Sequence, residues 1–177
     1  NKVVYNGSGT SVSVTGLSTN FGTTYHVEIF EYNGSGGTES YRTPGLTGQE
    51  TTSDAYITVS SGNYDVSSNW ELGSVPPLGS KVEIRNNITL NQNAEVSGLT
   101  ISPGNTLTSE SGQTRTLTIQ NGGTFTNNGT LTANDGSVSL GDGSSFTNNA
   151  TFNANTGSVS FSGAGTIAGT TSTTFND

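Results

Sequence analysis

Carboxylates are the side chains of this sequence with the widest chemical reach, because polysaccharide lyases and hydrolases need them clustered, often beside a basic partner or calcium. Here they are scattered. Glu95, Glu110, Asp135 and Asp142 stand apart, and Asp135 and Asp142, seven residues from one another, each adjoin a glycine. Both read as turn residues, with a weak shared Ca²⁺ site as the alternative, since calcium takes six to eight oxygen ligands. His26 is the only histidine, so no His-based metal site and no nucleophile–histidine pair can be assembled within the chain. Its place in an alternating segment makes it a surface or rim residue. The absence of cysteine removes disulfides and thiolate metal sites. These residues point away from an enzyme and call for no cofactor.

Aromatic faces are the next chemical resource, because sugar rings stack on them. Trp70 has a structural place, argued below, which leaves Tyr32, Tyr41 and Tyr64 as candidates for a binding face. Sequons at Asn6, Asn33, Asn87, Asn128 and Asn149 are what chance produces in a chain so rich in Asn, Ser, Thr and Gly. A net charge of −8 with five basic residues argues against nucleic acid, whose phosphates demand a basic footprint. No apolar run approaches the roughly 18 residues of a membrane span, so no membrane insertion is expected. No signal peptide opens the chain, and a first residue of Asn1 rather than Met leads us to expect a start within a longer polypeptide.

The elements that must carry these residues are β-strands. Five apolar pairs recur, Val82 with Ile84, Leu99 with Ile101, Leu117 with Ile119, Val138 with Leu140 and Val159 with Phe161, at offsets of 17, 18, 21 and 21 residues. A period that settles to one value is the mark of stacked coils. Residues 125–140 align on residues 146–161 without a gap. Only 28% of residues are hydrophobic, yet their regular spacing and a charged fraction of 10% argue for ordered β-structure with a thin core rather than disorder.

Within one mature coil the apolar residues fall at Ile119, Phe125, Leu131, Val138 and Leu140, which makes three short faces. Turns are expected at residues 121–123, 127–129 and 134–136, where Gly, Asn and Asp tolerate unusual backbone angles. Adding one offset gives two inward columns, Ile101, Ile119, Leu140, Phe161 and Leu107, Phe125, Phe146, Ile167. Parallel pairing about 4.8 Å apart would give roughly five coils and a rod about 20–25 Å long. Five inward side chains per coil, each contributing about 1.5–3 kcal/mol, do not offset the ordering of some twenty residues. Amide ladders, Asn127 on Asn148 and Asn128 on Asn149, are expected to share the task as structural corners.

Before the coils, residues 3–5 and 11–14 read as short strands and residues 25–32 as a stronger, alternating one, followed by a turn at 33–37. Residues 45–53 have linker composition. The irregular stretch 56–77, with the pair Ile57 and Val59, reads as the cap a solenoid needs over its first coil, plugged by Trp70. The expected organisation is therefore a segment over 1–47, a linker over 48–55, a cap over 56–81 and coils over 82–177.

Two resemblances attach to these residues. The run Gly16-Leu17 to Tyr25-His26-Val27-Glu28-Ile29, with the turn and strand up to Pro44, resembles the second half of a fibronectin type III domain, a β-sandwich in which Tyr25 would close the corner by a hydrogen bond to backbone. Three or four of that family's seven strands are present, so the missing ones are expected upstream or replaced by a docking surface. Residues 61–84, with Trp70 and Val75-Pro76, are similar to the opening of parallel β-helix segments in secreted multidomain surface proteins of gliding and related Gram-negative bacteria. The resemblance implies an all-β chain, a partial sandwich followed by a capped three-faced parallel β-helix. It also implies export by a type IX system to the outer surface or the medium.

The function expected from this is non-catalytic, a stalk or adhesin segment. Its partners would be neighbouring domains of the same polypeptide and a surface glycan or protein. The alternatives are an accessory, carbohydrate-binding region of a secreted glycan-degrading enzyme or nuclease, and a cargo or subunit of a larger surface or secretion assembly. The last coil ends near Phe175 without a charged or helical cap, so further coils or another domain are expected downstream.

Overall fold

A computed structural model describes residues 7, 9, 11–15, 17 and 21–175, and the chain forms two compact units, Asn1–Asp54 and Ala55–Asp177. The strand expected over residues 3–5 lies outside the described residues, and residues 11–14 form no strand. In the first unit β1 (Thr24–Ile29) is the alternating segment, cut short before Tyr32. A small hairpin follows, β2 (Tyr32–Asn33) antiparallel to β3 (Ser40–Tyr41). The stretch read as linker is a strand, β4 (Leu46–Thr51), antiparallel to β1 with Ile29 opposite Leu46 and Thr24 opposite Thr51. Linker composition misled here because Thr47 and Thr51, which share one face of the strand, suit a pleated edge even beside Gly48. Tyr25 is half-buried opposite Glu50, while Val27, Ile29 and Leu46 are exposed, so both faces of the pair are largely open.

The second unit is a parallel β-solenoid of about four turns, somewhat shorter than the five coils expected. Its strands are β5 (Tyr56–Ile57), β6 (Gly62–Asn63), β7 (Ser80–Ile84), β8 (Ile88–Leu90), β9 (Ala94–Ile101), β10 (Thr106–Ser109) and β11 (Thr116–Asn127). They continue as β12 (Thr130–Thr132), β13 (Ser137–Leu140), β14 (Ser145–Asn148), β15 (Thr151–Asn153), β16 (Ser158–Phe161) and β17 (Thr166–Ala168). Three faces result, as the spacing implied. The second halves of β9 and β11 pair with β7, β14 and β17 on the first face. The second face is the ladder β6, β8, β10, β12, β15, and the first halves of β9 and β11 with β13 and β16 make the third.

The 21-residue period holds where it was read most clearly. Phe125 pairs with Phe146 and Ile119 with Leu140, and the two phenylalanine rings stack 4.8 Å apart inside the core. Both are fully buried, so neighbours across one winding do fill the interior.

Two of the expected columns need correction. Ile101 lies beside Asn127, not Ile119, whose true neighbour below is Val96; Leu107 lies beside Leu131, not Phe125, whose neighbour is Leu99. The cause is local. β9 and β11 each cross two faces, and β11 carries a bulge between Ile119 and Thr124, so Leu99 to Phe125 spans 26 residues where later coils span 21. The polar Asn127 also hid the second inward pair of β11. The turn expected at 121–123 is this bulge, with Gly122 at φ 68°.

The expected cap is in part the first coil. β5 and β6 already pair in parallel with β7 and β8, and Thr58, not Val59, turns inward; Val59 is 55% exposed. Residues 64–75 cover this end. Trp70 is buried edge-on against Tyr64, with ring centroids 4.9 Å apart, and its Nε1 donates to the Tyr64 carbonyl at 2.9 Å. At the other end Phe175 packs on Phe152, and the Asn148 Nδ2 donates to Thr173 Oγ1 at 3.0 Å.

Close approach of coils leaves no room for a side chain at several glycines, Gly129 among them. A Cβ on Gly129 would press on the carbonyl oxygens of Asn105 and Ser102 and on the Ile101 side chain 2.8 Å away, whereas the next coil carries Ala150 at the matching place. We therefore expect Gly129→Ala to lower stability by about 1–3 kcal/mol, as overpacking does. A urea unfolding midpoint equal to that of the wild type would refute the coil spacing.

Candidate functional site

The tyrosine candidates part company in the fold. Tyr64 is 4% exposed beneath the cap, where burial pushes its hydroxyl well above the ordinary tyrosine value, so it offers no face to a ligand. This corrects the expectation of a three-tyrosine face. The composition around Tyr64 is as polar as that around Tyr41, and only its partnership with Trp70 reveals its burial.

Tyr32 and Tyr41 do converge. They face each other across the β2–β3 hairpin with centroids 5.7 Å apart, and Phe30 meets Tyr41 edge-on at 6.4 Å. Beside them the Arg42 guanidinium bonds the Glu31 carboxylate at 3.0 Å, while the Arg42 N–H donates to the Glu31 carbonyl at 2.8 Å. An open hollow of about 700 Å³ is lined by Phe30, Glu31, Tyr32, Asn33, Ser40 and Arg42. Aromatic faces with a forked donor and a carboxylate at the rim can stack a ring and bond its hydroxyls.

Asp135 and Asp142 lie at different corners and are not brought together; among the described residues no group of three or more His, Cys, Asp or Glu could hold a metal ion. Asp135 instead staples three coils. One carboxylate oxygen accepts from Thr156 Oγ1 at 2.6 Å and the other from the Gly112 N–H at 2.8 Å. Those two bonds, the hydroxyl first, hold its carboxyl below the usual carboxylate range. A depressed value in the fold means stabilisation that is complete above about pH 4, where the unfolded group ionises, and that fades as the pH falls through the lower native value. Asp135→Asn is expected to lower the thermal midpoint near neutrality and to converge on the wild type as the pH falls through the lowered native value. A constant gap across the range would remove the staple from the account.

Asn127 and Asn148 lie in the interior. Both are fully buried and extend the column that begins with Ile84 and Ile101. The Asn127 Nδ2 donates to Asn148 Oδ1 and to the Thr151 carbonyl, each at 2.8 Å, and its Oδ1 accepts from the Gly129 N–H at 3.2 Å. One residue on, the Asn149 Nδ2 donates to Asn128 Oδ1 at 2.9 Å, and Asn155 repeats this on Asn134 at 3.0 Å. Asn134 and Asn155 share a positive φ near 50°, which asparagine tolerates.

Outward residues of the solenoid form columns that reading for apolar pairs passes over. Glu95, Thr118, Ser139 and Ser160 succeed one another on the third face. Thr106, Thr130 and Thr151 do so on the second. The bulge after Ile119 turns the first of these columns into a groove of about 460 Å³. The signal for it was the long coil between Leu99 and Phe125, visible only once the true register is known. The guanidiniums of Arg85 and Arg115 are taken by Glu83 at 2.7 Å and by Glu110. Comparison with protein-family models, with curated proteins and with solved structures gives no match to this chain.

Proposed function

We propose that this chain is a non-catalytic stalk or adhesive segment of a large exported bacterial cell-surface protein. The observation that carries the reading is the solenoid itself, a filled interior wound in about four turns whose outward positions are columns of Ser, Thr and Asn. Such a surface can be extended coil by coil and presents repeated hydrogen-bonding groups rather than one reaction centre. The resemblance of residues 16–44 to half of a fibronectin-type sandwich, together with that of residues 61–84 to a β-helix opening, is what suggests a type IX export route to the outer surface of a Gram-negative bacterium. Beads coated with the chain should be retained on cells or on cell-surface extracts, and loss of retention after solenoid unfolding should follow. Beads that never exceed a bovine albumin control would defeat the proposal.

The second reading is an accessory region of a secreted glycan-degrading enzyme or nuclease. It is favoured by the Tyr32–Tyr41 ring pair, of which Tyr32 lines the hollow. Glycan-array binding abolished by Tyr41→Ala would establish it over the adhesin. Retention on cells that Tyr41→Ala leaves intact would establish the adhesin, or a partner protein in a larger assembly.

A further inference from the structure

The groove on the third face is built rather than incidental. Its floor is the hydroxyl column of Thr118 and Ser139, on neighbouring rungs, with Ile119 buried beneath. Its wall is the bulge that begins at Gln120, and three contacts hold that wall in place. The Gln120 Nε2 donates to Glu95 Oε1 at 2.7 Å, the Asp142 N–H donates to Asn121 Oδ1 at 3.0 Å, and the Gly122 N–H donates to the Asp142 carbonyl at 2.8 Å. Gly141 leaves room for this, since a Cβ there would meet Asn121 N and Oδ1 at 2.5 Å. Ser162 closes the far side.

The lining chemistry selects a class of ligand. Hydroxyls and carboxamides both give and accept hydrogen bonds, the one carboxylate is already engaged by Gln120, and no cation lines the groove. A chain of charge −8 with Glu95 in the groove disfavours phosphates and acidic polysaccharides. The exposed lining is more polar than apolar, which disfavours a purely apolar ligand. What remains is a neutral polyol. The groove runs along the winding axis, where rungs recur about every 4.8 Å, close to the repeat of an extended pyranose chain. Its volume lies within the ordinary span of ligand sites, about 300–1,000 Å³.

We propose that this groove binds a neutral, extended polysaccharide strand lying along the solenoid axis, one sugar ring to each rung, hydrogen-bonded to Thr118, Ser139, Gln120 and Asn121. This rests on the adhesive reading for its purpose and supplies that reading with a ligand class. The binding is distinct from stacking on Tyr32 and Tyr41.

The test uses the whole chain with cellohexaose, chitohexaose and mannohexaose as probes and hexagalacturonate as the acidic control, followed by calorimetry and amide chemical shifts. At least one neutral hexamer should bind, shifting the amides of residues 118–121 and 139, and the acidic one should not. Ser139→Trp fills the groove from an outward position and is expected to cut affinity about tenfold or more, with an unchanged melting temperature; Gln120→Ala is the second, milder variant. No binding by any neutral probe, undiminished binding in both variants, or binding lost with Tyr41→Ala instead would overturn the proposal. Cell retention separates the two ideas. Retention that survives Ser139→Trp, with no hexamer bound, sinks the groove and leaves the adhesive reading standing; hexamer binding without retention does the reverse.

Discussion

Trp70→Ala is expected to lower the stability of the solenoid by about 3–5 kcal/mol, the usual cost of emptying a large aromatic site in a core. The indole is 1% exposed, joins the same core as Val82 and Ile84, and tethers residues 64–70 through its bond to the Tyr64 carbonyl. Its backbone also forms an antiparallel bridge with Thr58 in the first coil. Alanine therefore leaves a void and unties the cover of that coil together. Unfolding must be followed by far-ultraviolet circular dichroism, because Trp70 is the only tryptophan. Trp70→Phe keeps a ring against Tyr64 but orphans that carbonyl, so a loss nearer 1–3 kcal/mol is expected. Uncovered parallel edges recruit other strands, so the alanine variant should also self-associate at concentrations where the wild type does not. If Trp70→Ala unfolds within about 1 kcal/mol of the wild type, the cap is not what protects the first coil.

The burial of Trp70 and the late coils were legible for the same physical reason. A stacked coil repeats its inward residues, so Phe125 and Phe146 announce themselves by a gapless copy of their surroundings, and a lone tryptophan ahead of the repeat has one place to go. The early coils were not legible, because loop length is free to vary while register is set by backbone pairing across the winding. Leu99 and Leu117 look like successive members of one column, yet they sit on different faces, beside Phe125 and Ala94. Asn127 continues an apolar column with a polar side chain, so hydrophobic spacing passed over it. β4 shows the opposite failure: Gly48 and Gln49 read as linker, and pairing with β1 made them strand. The groove was hidden most deeply, since it comes from one bulge set against a correct register. The Tyr32–Tyr41 pair was half visible; the residues were named, but their approach depends on a two-strand hairpin whose register no periodicity discloses.

Asn127→Ala should cost about 3–5 kcal/mol, comparable with the loss of a core aromatic although far less volume is removed. Three partners lose their bonds at once: Asn148 Oδ1 and the Gly129 N–H on buried residues, and the Thr151 carbonyl on an exposed one. Each polar group left buried without a partner costs about 1–3 kcal/mol, and Asn127 itself is shielded from water. Asn127→Leu separates packing from hydrogen bonding. It would extend the Ile84–Ile101 column with an apolar side chain while leaving the same three groups orphaned, so a penalty of about 2 kcal/mol or more should persist. Asn148→Ala is expected to cost less, because its side chain makes two of these bonds, to Asn127 and Thr173, where Asn127 makes three. The double variant should then fall short of the sum of the singles by about 0.5–3 kcal/mol, the signature of two side chains bonded to each other. Urea midpoints at constant slope give all four values. A stable Asn127→Leu protein would mean that shape, not amide pairing, joins those coils, and the ladder would lose its place in the energetics.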